Sequence, residues 1–133
     1  MGTGRRQRLR VLSSRLTVEL LPDGPEGDLA SALTRAWWAL VRGPEGLTVI
    51  HEVPDTPDTP VAVELWAGLY GENAHELDVP GMLVALLEPL AGAGVPVFVA
   101  STFDSDVVLV PVARFEDAER ALKAAGHEVV GGL

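Results

Sequence analysis

The residues best equipped for chemistry lie in one short stretch, "STFDSDVVLVPV" at 101–112. Ser101 and Thr102 bring hydroxyls, and Asp104 and Asp106 bring carboxylates with one serine between them. One apolar run, "VPVFVA", precedes the acids and another follows them. Acids so placed can shape a turn, hold a cation, transfer protons or receive a positive ligand group. A D-x-D pair holds a divalent cation in some nucleotide-sugar transferases, but these need a nucleotide-binding domain larger than 133 residues. Two carboxylates without a substrate cleft do not make an active site. Asp104 lies at the turn centre and reads as turn chemistry. Asp106 begins a strand and reads equally as a ligand contact or as a turn or strand cap. Ser101 and Thr102 read equally as contacts or as ordinary sheet residues.

Other chemistries find little support. The chain has no cysteine, which excludes disulfides, thiolate metal sites and thiol catalysis, and fits a cytoplasmic protein. His51, His75 and His127 are widely spaced, show no zinc pattern and read as surface or edge residues. No G-x-S-x-G, P-loop or dinucleotide fingerprint occurs. Trp37, Trp38 and Trp66 read as core or dimer-interface residues rather than a stacking platform.

Charge narrows the partners. Arg5, Arg6, Arg8, Arg10 and Arg15 are half of the ten basic residues, so residues 16–133 carry 5 basic and 19 acidic groups, a net of −14. Such a body repels nucleic acid and anionic lipid. The "GRRQRLR" segment reads as a solvated basic stub over 1–14. No apolar stretch approaches the ~18 residues that span a bilayer, and no secretory signal is apparent, so neither nucleic acid nor membrane is expected as a partner. With 47% hydrophobic residues, the chain can bury the core of one domain or of two small modules packed as one.

The elements that must position the acids follow from periodicity and breakers. "RLTVELL" (15–21) alternates as a strand, and Asp28 can cap a short helix through "DLASALTRA". "WWALVRGPEGLTVIHEV" (37–53) reads as a hairpin turning at "GPEG". "PDTPDTP" (54–60) breaks everything and marks a boundary. Beyond it, "VAVELWAGLY" (61–70) is strand-like. Pro80 opens a helix in which Leu83, Leu86, Leu87 and Leu90 form a core stripe. Pro89 should kink that helix, and Gly92 and Gly94 should stop it. "VPVFVAST" and "DVVLVPV" are strands joined by a turn at Phe103–Ser105. "FEDAERALKAAG" (115–126) is an amphipathic helix ending at Gly126, and "HEVV" is a last strand. The order from residue 61 is β-α-β-β-α-β, the α+β ferredoxin-like pattern of four antiparallel strands with two helices on one face. Residues 15–60 read as a shorter β-α-β-β half, packed with a second half at 61–133.

The stretch "GMLVALLEPLAGAGVPVFVASTFDSDVVLVPVARFEDAERALKAAGHEV" resembles ACT-domain proteins of the small tandem type. That class includes the cytosolic arginine sensor of animal nutrient signalling, and its signature Ser-Thr-Phe/Tyr-x-x-Asp corresponds here to Ser101, Thr102, Phe103 and Asp106. The resemblance implies a non-enzymatic, cofactor-free regulator that binds an amino acid or similar small metabolite where ACT units meet, and that forms a homodimer. By position it implicates Leu77, Asp78, Val79, Gly81 and Met82 at the loop and helix start, with Ser101, Thr102, Phe103 and Asp106 opposite. The loop "ELDVPG" departs from the family, which often has an aromatic residue and a Ser or Thr before the glycine. That departure motivates the alternative of a ligand-independent assembly module.

The physical reading runs parallel. A helix start offers amides and a positive dipole end to a ligand carboxylate, and Gly81 permits close approach. Asp106 can accept a ligand ammonium, with the Ser101 and Thr102 hydroxyls completing a polar shell. In a βαββαβ fold the first strand leads into its helix at the end of the sheet where the second strand turns into the third. Gly81 and Asp106 are thus expected near one another.

Overall fold

Along the chain run β1 (Arg8–Val11), β2 (Arg15–Leu21), α1 (Leu29–Leu33), β3 (Trp37–Gly43), β4 (Gly46–Val53), β5 (Trp66–Gly71), α2 (Met82–Gly92), β6 (Phe98–Ser101), β7 (Asp106–Pro111), one 3-10 turn (Val112–Arg114), α3 (Phe115–Ala124) and β8 (Glu128–Val130). The computed structural model describes residues 6–21, 29–34, 36–54, 64–72 and 80–133. These fall into two compact units, Ser14–Trp66 and a discontinuous one built from Met1–Ser13 with Ala67–Leu133.

In the discontinuous unit the strands lie in the order β6-β7-β5-β1-β8. The chain order β5-α2-β6-β7-α3-β8 is the expected ferredoxin-like βαββαβ. The segment expected to be a solvated basic stub corrects the rest of the expectation. Its residues Arg8–Val11 form β1, antiparallel to β5 and parallel to β8. The four-stranded antiparallel sheet therefore becomes five strands with one parallel pair.

The reason is side-chain alternation. Leu9 and Val11 are buried in the core, while Arg8 and Arg10 project to the other face and stay exposed. There Arg8 Nε lies 3.2 Å from Glu72 Oε2, Arg10 Nε lies 3.5 Å from Glu72 Oε1, and the Arg10 guanidinium stands 5.8 Å from the Tyr70 ring centre. Exposed ion pairs contribute about 0–1 kcal/mol each. Burying Leu9 and Val11 contributes about 1.5–3 kcal/mol each, so the apolar pair decides the strand.

One core joins the sheet to its helices: Leu9 and Val11 of β1, Ala67 and Leu69 of β5, Val108 and Val110 of β7, Leu86 and Leu90 of α2, and Phe115, Ala118 and Leu122 of α3. Leu83 and Leu87 pack against it, so the expected α2 stripe is present. The helix continues through Pro89 to Gly92. Both helices close with a left-handed glycine. After α2, Gly94 (φ 71°) and Val95 donate to the carbonyls of Ala91 and Leu90. After α3, Gly126 (φ 97°) and His127 donate to Lys123 and Leu122. This is the paired bonding of a Schellman end, and it fixes where each helix hands the chain to its next strand.

In the unit Ser14–Trp66, β2, β4 and β3 form an antiparallel sheet with β4 central. Ala32 of α1 packs on Leu47 and Val49, with Leu21 and Leu40 beside them. The β-α-β-β order and the hairpin are as expected, and the bulge at the start of β3 lies between Trp37 and Ala39. The helix is shorter than the sequence suggests, and its expected cap Asp28 lies outside the described residues. Leu20, Thr48 and Val41 face one another in one row across the three strands, with Leu20 and Val41 half exposed.

Candidate functional site

Alternation along the strands decides which side chains meet at the end of the sheet where β5 leaves and β7 enters. Val108 and Val110 point into the helix-covered core, so Asp106, two residues before Val108, points to the same side. Ser101 is directly opposite Asp106 on β6. Gly71 continues the Ala67–Leu69 row of β5, and Gln7 continues the Leu9–Val11 row before β1. Polar groups thus cap the apolar core at the end where α2 begins.

The expected residues behave differently from one another. Gly81 precedes α2 with φ 85°, a conformation that favours glycine, and no side chain caps that helix start. Ser101 Oγ donates to Asp106 Oδ1 at 2.7 Å, a charge-assisted hydrogen bond. Asp106 is 9% exposed, whereas Asp104 is exposed, so the two acids face different surroundings. Thr102 closes the turn. Its amide and hydroxyl donate to the Ser105 carbonyl at 2.7 and 3.1 Å, and its hydroxyl accepts the Ser105 amide at 3.1 Å. Phe103 stands 81% exposed at the tip of the turn. Leu77, Asp78 and Val79 lie outside the described residues. Met82 enters through its carbonyl, which accepts a 2.7 Å hydrogen bond from Gln7 Nε2.

Gln7, Gly71, Ser105 and His127 belong to this neighbourhood, though the sequence reading placed none of them at the site. The Gln7 amide donates to His127 Nδ1 at 3.1 Å, and the Gln7 carbonyl accepts from Glu128. Because Nδ1 accepts, Nε2 carries the proton, and it donates to the Ala85 carbonyl at 2.8 Å. His127 is 6% exposed, which corrects its reading as a surface or edge residue. It is held inside by partners from two other elements. His51 is partly buried, with Nε2 3.0 Å from Glu19 Oε2, and His75 lies outside the described residues. Only one signal in the sequence could have exposed Gln7, the alternation Gln7-Leu9-Val11. Among the described residues no cluster of three or more His, Asp or Glu could hold a metal ion. No described helix is long and apolar enough to cross a membrane.

Set against known proteins, residues 61–124 match the family model of the ACT domain, a little under half of the chain. No curated protein matches the sequence. Solved structures of similar shape include an Agobacterium tumefaciens protein (22% identity, 94% of this chain and 92% of that chain, TM-score 0.68). A Vibrio cholerae protein described as of unknown function and a possible transport protein is also similar (19%, 91% and 87%, TM-score 0.68). So is the ligand-free regulatory subunit of aspartate kinase from Thermus thermophilus (16%, 88% and 95%, TM-score 0.63). These likenesses establish the fold: α+β, ferredoxin-like, of the ACT type.

Proposed function

We propose that this chain is a non-enzymatic regulatory ACT-domain protein of the small tandem type, acting in the cytoplasm as a homodimer. It binds an amino acid or similar small metabolite where ACT units meet. The observation that carries the reading is the pairing of Ser101 with Asp106 on the helix-facing side of the sheet, at the end where the uncapped start of α2 lies. A free amino acid offers a carboxylate and an ammonium close together. The α2 start suits the first, and Asp106, ordered by Ser101, suits the second. Gly81 and Met82 provide the backbone there, with Leu77, Asp78 and Val79 preceding them in sequence. Ser101, Thr102 and Phe103 flank Asp106. Aspartate kinase regulatory subunits among the structural neighbours support a regulatory role.

Calorimetric titration of the twenty amino acids into wild type, Asp106→Asn and Asp106→Ala tests it. At least one amino acid should bind wild type, and the substitutions should weaken that binding about tenfold or more. Silence in every titration removes the ligand-binding reading, and equal binding by the variants removes Asp106 from it.

A second reading, ligand-independent assembly, draws on exposed apolar side chains: Phe103 (81%) and the Leu20–Val41 row (50% and 56%). It predicts a dimer whose dissociation constant, measured by sedimentation, does not respond to any amino acid.

A further inference from the structure

Ser105 holds the one buried side-chain polar atom among the described residues that has no hydrogen-bond partner. The residue is 3% exposed. Buried hydroxyls are almost always satisfied, and one left open calls for a reason. Its surroundings locate it. A Cβ added to Gly71 would lie 2.5 Å from Ser105 Oγ and 3.8 Å from Gln7 Oε1, so both oxygens lie beside Gly71, and Ser105 Oγ takes the room that a side chain there would need. Gln7 in turn holds the Met82 carbonyl in the first turn of α2. The unpaired hydroxyl therefore shares a neighbour, Gln7, with the first turn of α2, an eleven-residue helix whose start has no side-chain cap.

From this we infer that Ser105 Oγ is a ligand contact that confers preference for an amino acid with a polar side chain. The inference rests on the reading of this cluster as an amino-acid site. Ser105 supplies an O–H that can donate. Gln7 gives one side-chain amide hydrogen to Met82, and it is its Oε1, which can only accept, that lies toward Gly71 and Ser105. A ligand group that answers both must itself accept and donate, as a hydroxyl or a primary amide does. An apolar group of equal size answers neither and leaves Ser105 unpaired, so the site discriminates against it.

The test is the Ser105→Ala variant of the full chain, studied without ligand and against two matched pairs, threonine with valine and asparagine with leucine. Ligand-free, the variant should melt a few degrees higher than wild type, because an unanswered buried hydroxyl has been removed. Wild type should bind the polar member of at least one pair about tenfold more tightly, and the variant should lose that preference. A lower ligand-free melting temperature overturns the inference, since Ser105 would then be a structural group satisfied by water. Unchanged preference in the variant also overturns it, while leaving the amino-acid site standing. Failure of wild type to bind any of the twenty amino acids overturns both.

Discussion

His127 donates its Nε2 hydrogen, at 2.8 Å, to the carbonyl that Pro89 leaves without an amide. That carbonyl belongs to Ala85, four residues before Pro89, where a helix would ordinarily place its own N–H donor. Proline in a helix interior removes this bond and crowds the carbonyl, at a cost of about 3 kcal/mol. The imidazole restores the lost bond from outside the helix and ties α2 to the start of β8.

Replacing His127 with Leu should leave the Ala85 carbonyl and the Gln7 amide unanswered, costing about 2–4 kcal/mol in chemical denaturation. In a Pro89→Ala background Ala85 regains a donor within the helix. The same replacement should then cost about 1 kcal/mol less. An equal cost in both backgrounds would show that Ala85 does not depend on His127.

These bonds also mark where local pattern stops being informative. The α2 stripe, the amphipathic α3 and the apolar β7 announce themselves because each repeats with the period of its own element. Ser101 and Asp106 were legible as polar groups on either side of a turn, but not as partners of one another. Strand β1 was not, because its four residues carry two arginines and its partners, Gly71 and Val129, lie about 60 and 120 positions away. Gln7 and His127 share this difficulty. Their roles come from pairing across 120 residues, which no neighbouring letters encode. Thr102 fits the signature by type, yet its hydroxyl serves the turn.

Gly71 should not tolerate a side chain. A methyl there meets Ser105 Oγ at 2.5 Å, so Gly71→Ala should destabilise by about 1–3 kcal/mol. Adding Ser105→Ala removes that oxygen and leaves the Ser105 Cβ at 3.9 Å, an ordinary contact. The double variant should therefore recover most of the loss, a coupling that paired denaturation curves measure. Two losses that simply add would contradict this packing.

The Arg114 guanidinium, 2.9 Å from Asp117, holds that carboxyl below its usual value of 3.8, with Arg120 assisting. A carboxyl depressed on folding contributes stability above its unfolded value and loses it as pH falls through the folded one. The contribution should thus be complete at neutral pH and fade only below about 4. It should be small, because the group is exposed and salt screens it. Carboxyl-carbon NMR titration should find Asp117 below the normal aspartate range and Arg114→Gln should move it upward. An unmoved titration would exclude Arg114 as the cause.

The placement of β1 carries a consequence for the order of folding. Gln7 meets His127 across 120 residues, and β1 is parallel to β8, so these pairings close a loop around nearly everything between them. Ser14–Trp66 can gather its β-α-β-β contacts from within its own span. The sheet of the other unit waits until β8 has been synthesised, and until then β1 lacks its parallel neighbour. A ribosome releasing this chain would thus complete the inserted unit before the one that contains β1.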